Sequence, residues 1–339
     1  MRTREVVAAL SVLSILLAGC ASTRNADAGV PPPVSDTELA EVTLTVGDQR
    51  GGSQAMLTAA GLLDDVPYSL EWSTFTSGPP LLEAVSAGAV DIGGVGNTPP
   101  IFAAAADANI AIVSAAQGDV QGDALLVPAD SPLTDLADLR GRTIAVARGS
   151  SAHGQVLYNL RRTGLTPDDV TLSFIQPADA YAAFGQGRLD AWAVWDPYTA
   201  QAELEAEARV LADGEGTANG YTFQVAGHEA LADPALNTAI RDYVTRLAEA
   251  QLWARDHPAE WAVAWSAETG LPEDVTRRVT ERGTDLPVRL DAAVVQSEQD
   301  LADAFTEAGV LPGSLVFGDF VDDRFETDLE PIVTTAENR

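Results

Sequence analysis

Short polar stretches rich in serine, glycine and arginine recur where an apolar, strand-like run gives way to a helix-like run. They are residues 50–53, 77–78, 96–98 and 148–153. The first turn of a helix exposes backbone N–H groups at the positive end of the helix dipole, so such a stretch can hold an anion. Serine hydroxyls and the guanidinium groups of Arg50 and Arg148 would add hydrogen bonds. These residues predict the binding of a small oxyanion.

Catalytic chemistry has less support in the same residues. Ser150, His153 and Asp190 could be imagined as a hydrolytic triad, but the Gly-x-Ser-x-Gly turn that exposes such a serine is missing. The other two histidines, His228 and His257, show no metal-ligand spacing, and no glycine-rich nucleotide motif is present. We expect no enzymatic activity, no metal and no cofactor.

A sequence segment that occurs twice indicates which helices and strands position these polar stretches. Residues 84–97 and 183–196 share a glycine, then an aspartate, then a valine, and end on a polar residue. Each copy predicts a helix closed by a left-handed glycine, a short strand, and an N-cap for the next helix. The repeat predicts an α/β fold with two lobes, each a mostly parallel sheet flanked by helices. The carboxyl ends of their strands would face a ligand cleft.

The repeat and the strand pattern also predict the domain boundaries. Lobe one comprises residues 41–120 and 223–330, lobe two comprises residues 121–222, and residues 331–339 form a tail. Hinges are expected near Gln117–Asp123 and Tyr221–Ala226. From Pro234 onward the apolar spacing is helical, and this region is interpreted as packing helices without chemistry.

The N-terminus has the features of an export sequence. Two arginines precede a short apolar run in residues 1–20, and residues 21–40 are rich in Ala, Ser, Pro and Asp, which is typical of a flexible tether. Residues 17–20, Leu-Ala-Gly-Cys, resemble the bacterial lipobox. That resemblance implies that Cys20, the only cysteine, carries lipid and anchors the protein to the outer face of the membrane. An ordinary secretory sequence is the alternative.

The charge of the chain restricts its partners. The formal net charge is −30, and all 20 basic residues are arginine. Such a surface repels polyanions, so nucleic acid is excluded as a partner. A small anion can still bind where the site is locally positive.

Five motifs together resemble the aliphatic sulfonate-binding components of ABC importers. The motifs are residues 47–53, 77–84, 90–100, 148–153 and 193–198, and the likeness extends over residues 42–320. It implies a type II periplasmic-binding fold and a monomer that captures alkanesulfonates for sulfur acquisition. It also implies an ABC permease and an ATPase as partners. Taurine, nitrate or a thiamine-precursor pyrimidine are alternative ligands, and an enzyme on this fold is a remote alternative.

The resemblance and the helix starts together give a set of predicted ligand-binding residues. They are Gln49, Arg50, Gly52, Ser53, Ser77, Gly78, Gly96, Asn97, Thr98, Gln117, Arg148, Ser150, Ser151, His153, Trp195, Asp196 and Tyr198. Trp195 and Tyr198 would contact the tail of the ligand. Arginine stands at positions 50 and 148 where the family pattern leads us to expect lysine. The loop at Asn97 lacks an acid that relatives often carry, which leaves the size and charge of the ligand open.

Overall fold

The computed structural model describes residues 29–49 and 52–338, in which strands and helices alternate. The strands are β1 (Thr43–Gln49), β2 (Ser69–Phe75), β3 (Ile92–Gly96), β4 (Ile110–Gln117), β5 (Ala124–Val127), β6 (Thr143–Val146), β7 (Thr171–Phe174), β8 (Ala191–Val194), β9 (Arg209–Asp213), β10 (Tyr221–Gly227) and β11 (Leu286–Val288). The helices are α1 (Asp36–Leu39), α2 (Ser53–Ala59), α3 (Gly78–Ser86), α4 (Thr98–Ala105), α5 (Ser151–Arg162), α6 (Pro177–Phe184), α7 (Tyr198–Glu205), α8 (His228–Ala232), α9 (Pro234–Asp256), α10 (Pro258–Thr269), α11 (Glu273–Arg282), α12 (Ala292–Glu307) and α13 (Glu326–Glu337). No helix in the described ranges is long and apolar enough to cross a membrane.

Two mixed sheets form the two lobes. The strand order is β11-β4-β10-β3-β1-β2 in lobe one and β7-β6-β8-β5-β9 in lobe two. In each sheet three neighbouring strands are parallel, β2-β1-β3 and β7-β6-β8. The remaining pairs are antiparallel, so both sheets are mixed, although most strands of each sheet run in one direction, as predicted. The reason is the crossing between lobes, because β5 and β10 enter their sheets directly from the other lobe and run opposite to the parallel strands.

The chain crosses between the lobes twice, at residues 118–123 and at residues 214–220. The two crossings touch, since the Gly118 N–H donates to the Gly220 carbonyl at 3.0 Å. The second hinge was predicted near Tyr221–Ala226, and these residues are paired within the sheet of lobe one. The second crossing lies just before them.

The repeated sequence segment has the same structural role in both lobes. Gly88 and Gly187 have φ values of 69° and 65°, which confirms the prediction of left-handed helix ends. The carboxylate of Asp91 accepts the Thr45 N–H at 2.8 Å, and that of Asp190 accepts the Thr143 N–H at 2.9 Å. Each aspartate thus ties the strand it precedes to the neighbouring strand. Asp190 is therefore a structural residue and not part of a triad.

The predicted tether and tail are both too long. Ser35 caps α1, and Leu39 is buried in the core of lobe one, so folded structure starts before residue 41. Residues 331–337 belong to α13, where Val333 is buried against the same core. The physical reason is apolar burial, since Leu329 and Val333 lie on one face of the helix at a spacing of four.

Candidate ligand-binding cleft

A cavity of about 340 Å³ lies between the lobes, beyond the carboxyl ends of β1, β3 and β8. Many of the predicted ligand-binding residues line it: Gln49, Gly52, Ser53, Gly78, Gly96, Asn97, Ser150, Ser151, Trp195 and Asp196. Because these residues come from both lobes, a bound molecule would touch the two sheets at once. Arg50 and Cys20 lie outside the described residues.

Other predicted residues do not line this cavity: Ser77, Thr98, Gln117, Arg148, His153 and Tyr198. His153 is 1% exposed, and its Nδ1 accepts the Gly149 N–H at 3.2 Å. Its ring packs between Phe102 and Phe174, at centroid distances of 5.9 and 5.4 Å. Burial, with a smaller contribution from nearby Arg148, lowers the pKa of His153 to about 4. The structure therefore places a neutral histidine in the core, away from the cavity.

Arg148 is turned toward an aromatic ring. Its guanidinium carbon lies 3.7 Å from the centroid of the Phe174 ring, a cation–π contact. Arg148 is exposed and does not line the cavity.

Ser77 and Gln117 form structural hydrogen bonds. The Ser77 hydroxyl donates to Oε1 of Gln176 in the other lobe at 3.0 Å. The Gln117 side chain donates to the carbonyl of Asn219 at 2.8 Å and so links the end of β4 to the second crossing. Neither residue lines the cavity.

Thr98 and Tyr198 are buried beneath the cavity lining. The Thr98 hydroxyl donates to Oδ1 of Asn97 at 2.9 Å. Tyr198 packs against Trp192, with ring centroids 6.0 Å apart, in the core of lobe two. Trp195 lines the cavity and Tyr198 does not, so the predicted pair does not form one contact surface within it.

Two helix starts, one from each lobe, meet at the cavity. Gly96 and Asn97 precede α4, and Ser150 precedes α5. A Cβ on Gly96 would lie 3.5 Å from the Cβ of Ser151, which shows how closely the two starts approach. Since the first N–H groups of a helix have no partner within that helix, this junction concentrates donors and positive dipole ends.

The local role of Ser150 is that of an N-cap. Its Oγ accepts the His153 N–H at 3.4 Å and donates to the Ala147 carbonyl at 2.7 Å. Ser151 instead directs its hydroxyl to Oδ1 of Asp123 at 3.4 Å. Both serines were predicted as ligand-binding residues and both line the cavity, and Ser150 is the one that caps α5.

The start of α2 is already occupied by a carboxylate of the chain. Asp48 accepts the N–H groups of Ser53 and Gln54 at 3.0 and 3.1 Å, and that of Gln49 at 2.8 Å. A Cβ on Gly52 would lie 1.6 Å from Oδ1 of Asp48, so glycine is required here. The anion site predicted at residues 50–53 therefore has an internal occupant, and a ligand oxyanion would be repelled from it.

The C-terminal region, interpreted from sequence as packing helices, forms a wall of the cleft. Trp261 and Trp265 of α10 line it, with stacked rings 5.2 Å apart. Gln251 of α9 and Arg282 of α11 also line it. The helices pack as predicted, α10 on α2 of lobe one and α11 on α7 of lobe two, and this packing also brings them to the cavity. The tryptophans four residues apart are the one sequence feature that could have indicated this wall.

Arg282 joins the C-terminal helices to lobe two. Its guanidinium donates to both carboxylate oxygens of Asp196 at 2.7 Å and also to Glu203. The Arg282 side chain is 10% exposed, so this ion pair is largely shielded from water. Asp196 also accepts the Ala200 N–H at 3.0 Å, which fixes it at the start of α7.

Three more carboxylates line the cavity where the crossings meet the segment after α11. They are Asp119, Asp123 and Asp285, named here the hinge carboxylates. Thr222 donates to Asp285 at 3.0 Å, and Gln121 N–H donates to Asp119 at 2.7 Å. The pKa of Asp123 is raised to about 7, mainly because the carboxyl group is buried and also because the charges of Asp196 and Asp285 act on it. Among the described residues no group of acidic, histidine or cysteine side chains has an arrangement that could hold a metal ion.

This geometry agrees with known proteins. Residues 59–278 match the family model described as ABC transporter, phosphonate, periplasmic substrate-binding protein. The chain belongs to this family. A relative from Escherichia coli, named for binding aliphatic sulfonates, is 33% identical over 280 residues, which are 81% of this chain and 87% of the relative.

Solved structures show the same fold. The alkanesulfonate-binding protein SsuA from Xanthomonas axonopodis pv. citri, bound to MOPS, has a TM-score of 0.77 and 32% identity, covering 84% of this chain and 99% of that one. The type II periplasmic-binding fold expected from the sequence is confirmed. The desulfurization enzyme DszB, at 19% identity and a TM-score of 0.61, covers 87% of this chain and 99% of its own, and shares the fold alone. The relatives reported in the family are binding proteins of ABC transporters.

Proposed function

We propose that this family member captures aliphatic sulfonates outside the cytoplasm and delivers them to an ABC importer for sulfur acquisition. The observation that carries the proposal is the junction of the α4 and α5 starts within a cavity between two lobes. Sulfonate oxygens at this junction would accept N–H groups supplied by both lobes. The same contacts would favour closure, since neither lobe can make them alone.

The tail of the ligand has apolar surface available. Met56, Val95 and Pro99 contribute aliphatic groups from lobe one, and the Trp261–Trp265 stack contributes aromatic surface. Burying each methylene of an alkyl chain is worth about 0.8 kcal/mol. A cavity of about 340 Å³ also exceeds what a bare nitrate ion needs, which favours a ligand with a tail over nitrate.

We infer a binding function and no catalysis. In the cleft the hydroxyl of Ser150 donates to a backbone carbonyl, and His153 is buried with its Nδ1 engaged by Gly149. A hydrolytic serine needs a base that accepts its proton. Ser150 and His153 are not arranged so that the histidine could accept the proton of the serine hydroxyl.

The cellular setting is part of the same proposal. Lipid on Cys20 would hold a monomer at the outer face of the membrane, beside a permease and an ATPase. The lipobox-like residues 17–20 support this anchor. The family match supports the importer partners.

A ligand panel tests the function. Purified protein lacking residues 1–20 is titrated by calorimetry and thermal shift with alkanesulfonates of increasing length, taurine, nitrate and a hydroxymethylpyrimidine. We expect sulfonates to raise the stability by about 2.7 kcal/mol at a hundred times Kd. Stabilisation by nitrate or the pyrimidine, with none by any sulfonate, would contradict the proposed ligand class.

A further inference from the structure

Aromatic contacts join the two lobes near the start of α5. Phe102 of α4 and Phe305 of α12, both in lobe one, have ring centroids 5.9 and 5.6 Å from that of His153. His153 belongs to α5 of lobe two, and Phe174 of the same lobe lies at 5.4 Å. Two of these three rings therefore come from the opposite lobe. The contacts of His153 with Phe102 and Phe305 are named here the His153 interface.

Glycines let the lobes approach closely at this interface. A Cβ on Gly149, which has a φ of 75°, would lie 3.2 Å from the ring of Phe102. A Cβ on Gly154 of α5 would lie 3.0 Å from the hydroxyl oxygen of Thr98 on α4. Because neither position carries a side chain, α4 packs directly on lobe two. His153 is 1% exposed, so this packing excludes water from its ring.

The hydrogen bonding of His153 fits a neutral ring alone. Its Nδ1 accepts the Gly149 N–H at 3.2 Å, so this nitrogen carries no proton. Its Nε2 is buried and has no hydrogen-bond partner in the part of the chain that the structure describes. A charged ring has an N–H on both nitrogens. One N–H would then oppose that of Gly149, and the other would lack an acceptor.

The charged groups around the interface do not compensate a positive ring. Burial, followed by the charge of Arg148, lowers the pKa of His153 from 6.5 to about 4. Helix α4 and strand β7 contain no titratable residue, and Arg161 and Arg162 are in the last turn of α5. The acids of α12 accept hydrogen bonds from other side chains: Glu298 from Asn219, Asp300 from Gln296, Asp303 from Gln299 and Glu307 from Arg161.

We propose that His153 is a pH-sensitive latch between the lobes: the cleft closes only while its ring is neutral, and protonation of the ring opens the cleft and releases the ligand. The proposal goes beyond the binding function and concerns its regulation. When the lobes separate, water reaches the ring, and its pKa returns toward the ordinary value of 6.5. Closure is therefore unhindered above pH 6.5, becomes less favourable as the pH falls, and is least favourable below pH 4.

A disulfide across the cleft allows a test without any ligand. A Cβ on Gly96 would lie 3.5 Å from the Cβ of Ser151, which is within the range that disulfides span. Gly96→Cys and Ser151→Cys are made together in a Cys20→Ser background, so the two new cysteines are the only ones. Oxidation locks the two lobes together, and reduction frees them.

NMR titration of the histidine rings compares the two forms. The His153 signal is identified by its loss in His153→Asn. At pH 5 we expect its ring to be mostly neutral in the oxidised protein and mostly protonated in the reduced protein. His257, exposed and stacked on Trp253, is the internal control, because the lock should not change its signal. The same titration of His153 in both forms overturns the latch.

Ligand affinity gives a second test, which rests on the proposed function. Butane-1-sulfonate has no group that titrates between pH 5 and pH 7.5. His153→Asn keeps an acceptor for the Gly149 N–H, and His153→Phe keeps the aromatic packing. Neither variant can take up the proton. At pH 5 an exposed imidazole is charged about thirty times more often than it is neutral. From pH 7.5 to pH 5, we expect the affinity of each variant relative to the unaltered protein to rise about tenfold or more.

The comparison with each variant separates His153 from other titrating groups such as Asp123, because these are present in all the proteins. His257→Gln is the matched control and should follow the unaltered protein, and melting temperatures check that the variants fold. A relative affinity that is the same at both pH values in both His153 variants overturns the latch and leaves the sulfonate function intact. If butane-1-sulfonate binds none of these proteins, the proposed ligand class is contradicted, and the disulfide experiment decides the latch.

Discussion

Ser150 and Ser151 are neighbours with different roles. Ser150 caps α5 and is 2% exposed, whereas the Ser151 hydroxyl reaches Asp123 within the cleft. We expect Ser150→Ala to lower the free energy of unfolding by about 1 kcal/mol. Ser151→Ala should change ligand affinity more than stability. Urea unfolding and calorimetry on both variants measure this. A Ser150 variant that melts normally but binds about tenfold more weakly would reverse the assignment.

The titration of Asp123 should appear in the pH dependence of stability. Its pKa is raised to about 7 from an ordinary value of 3.8 by burial and by the charges of Asp196, Asp285 and Asp119. Between these two values the folded protein binds a proton that the unfolded chain has lost. The contribution of Asp123 to the free energy of unfolding is therefore full below pH 4, decreases as the pH rises, and is lowest above pH 7.

Asp123→Asn tests this dependence. Urea unfolding at pH 5 and pH 8 should show little difference from the unaltered protein at pH 5 and higher stability of the variant at pH 8. Asp168→Asn serves as the control for net charge. The same stability change at both pH values would mean that Asp123 does not titrate in this range.

At the scale of elements, Arg282 connects α11 to α7 across the two lobes. Breaking its ion pairs leaves Asp196 and Glu203 facing each other, with side chains only 14% and 21% exposed. We expect Arg282→Gln to cost about 3 kcal/mol of stability. Loss of this link between α11 and lobe two should also favour an open cleft. Small-angle scattering should therefore give a larger radius of gyration for the ligand-free variant.

A second arginine provides the control for this element. Arg289 pairs with Glu330, and both side chains are more than one-third exposed. Arg289→Gln should cost less than about 1 kcal/mol and leave the radius unchanged. Equal radii for the unaltered protein and the Arg282 variant would show that this ion pair does not hold the lobes together.

At the scale of the whole molecule, the predicted export sequence concerns where the protein is located and not which ligand it binds. We expect Cys20→Ser to release the protein from the membrane, because the proposed role of Cys20 is attachment of lipid alone. Fractionation of cells measures the release, and calorimetry on the released protein should give unchanged ligand affinity. Retention in the membrane fraction after the substitution would contradict the anchor.

The sequence by itself determined the features that depend on local chemistry. The repeated glycine and aspartate predicted two lobes, because a left-handed helix end and a strand start are set within a few residues. Serine and glycine after strands predicted helix starts at the cleft, and Gly96, Asn97, Ser150 and Ser151 do line it. The five sequence motifs, in their order along the chain, were the basis of the family resemblance.

Only the tertiary structure decided which side chains face the cavity. His153 is near Ser150 in sequence but turns into an aromatic core, because Phe102 and Phe305 of the other lobe pack against it. Arg282 and Asp285 reach the cleft because α10 and α11 fold back over both lobes. These contacts join residues far apart in the chain, and apolar burial between helices selects them. No local pattern specifies such pairings, so the acidic hinge end of the cleft could be found only in the fold.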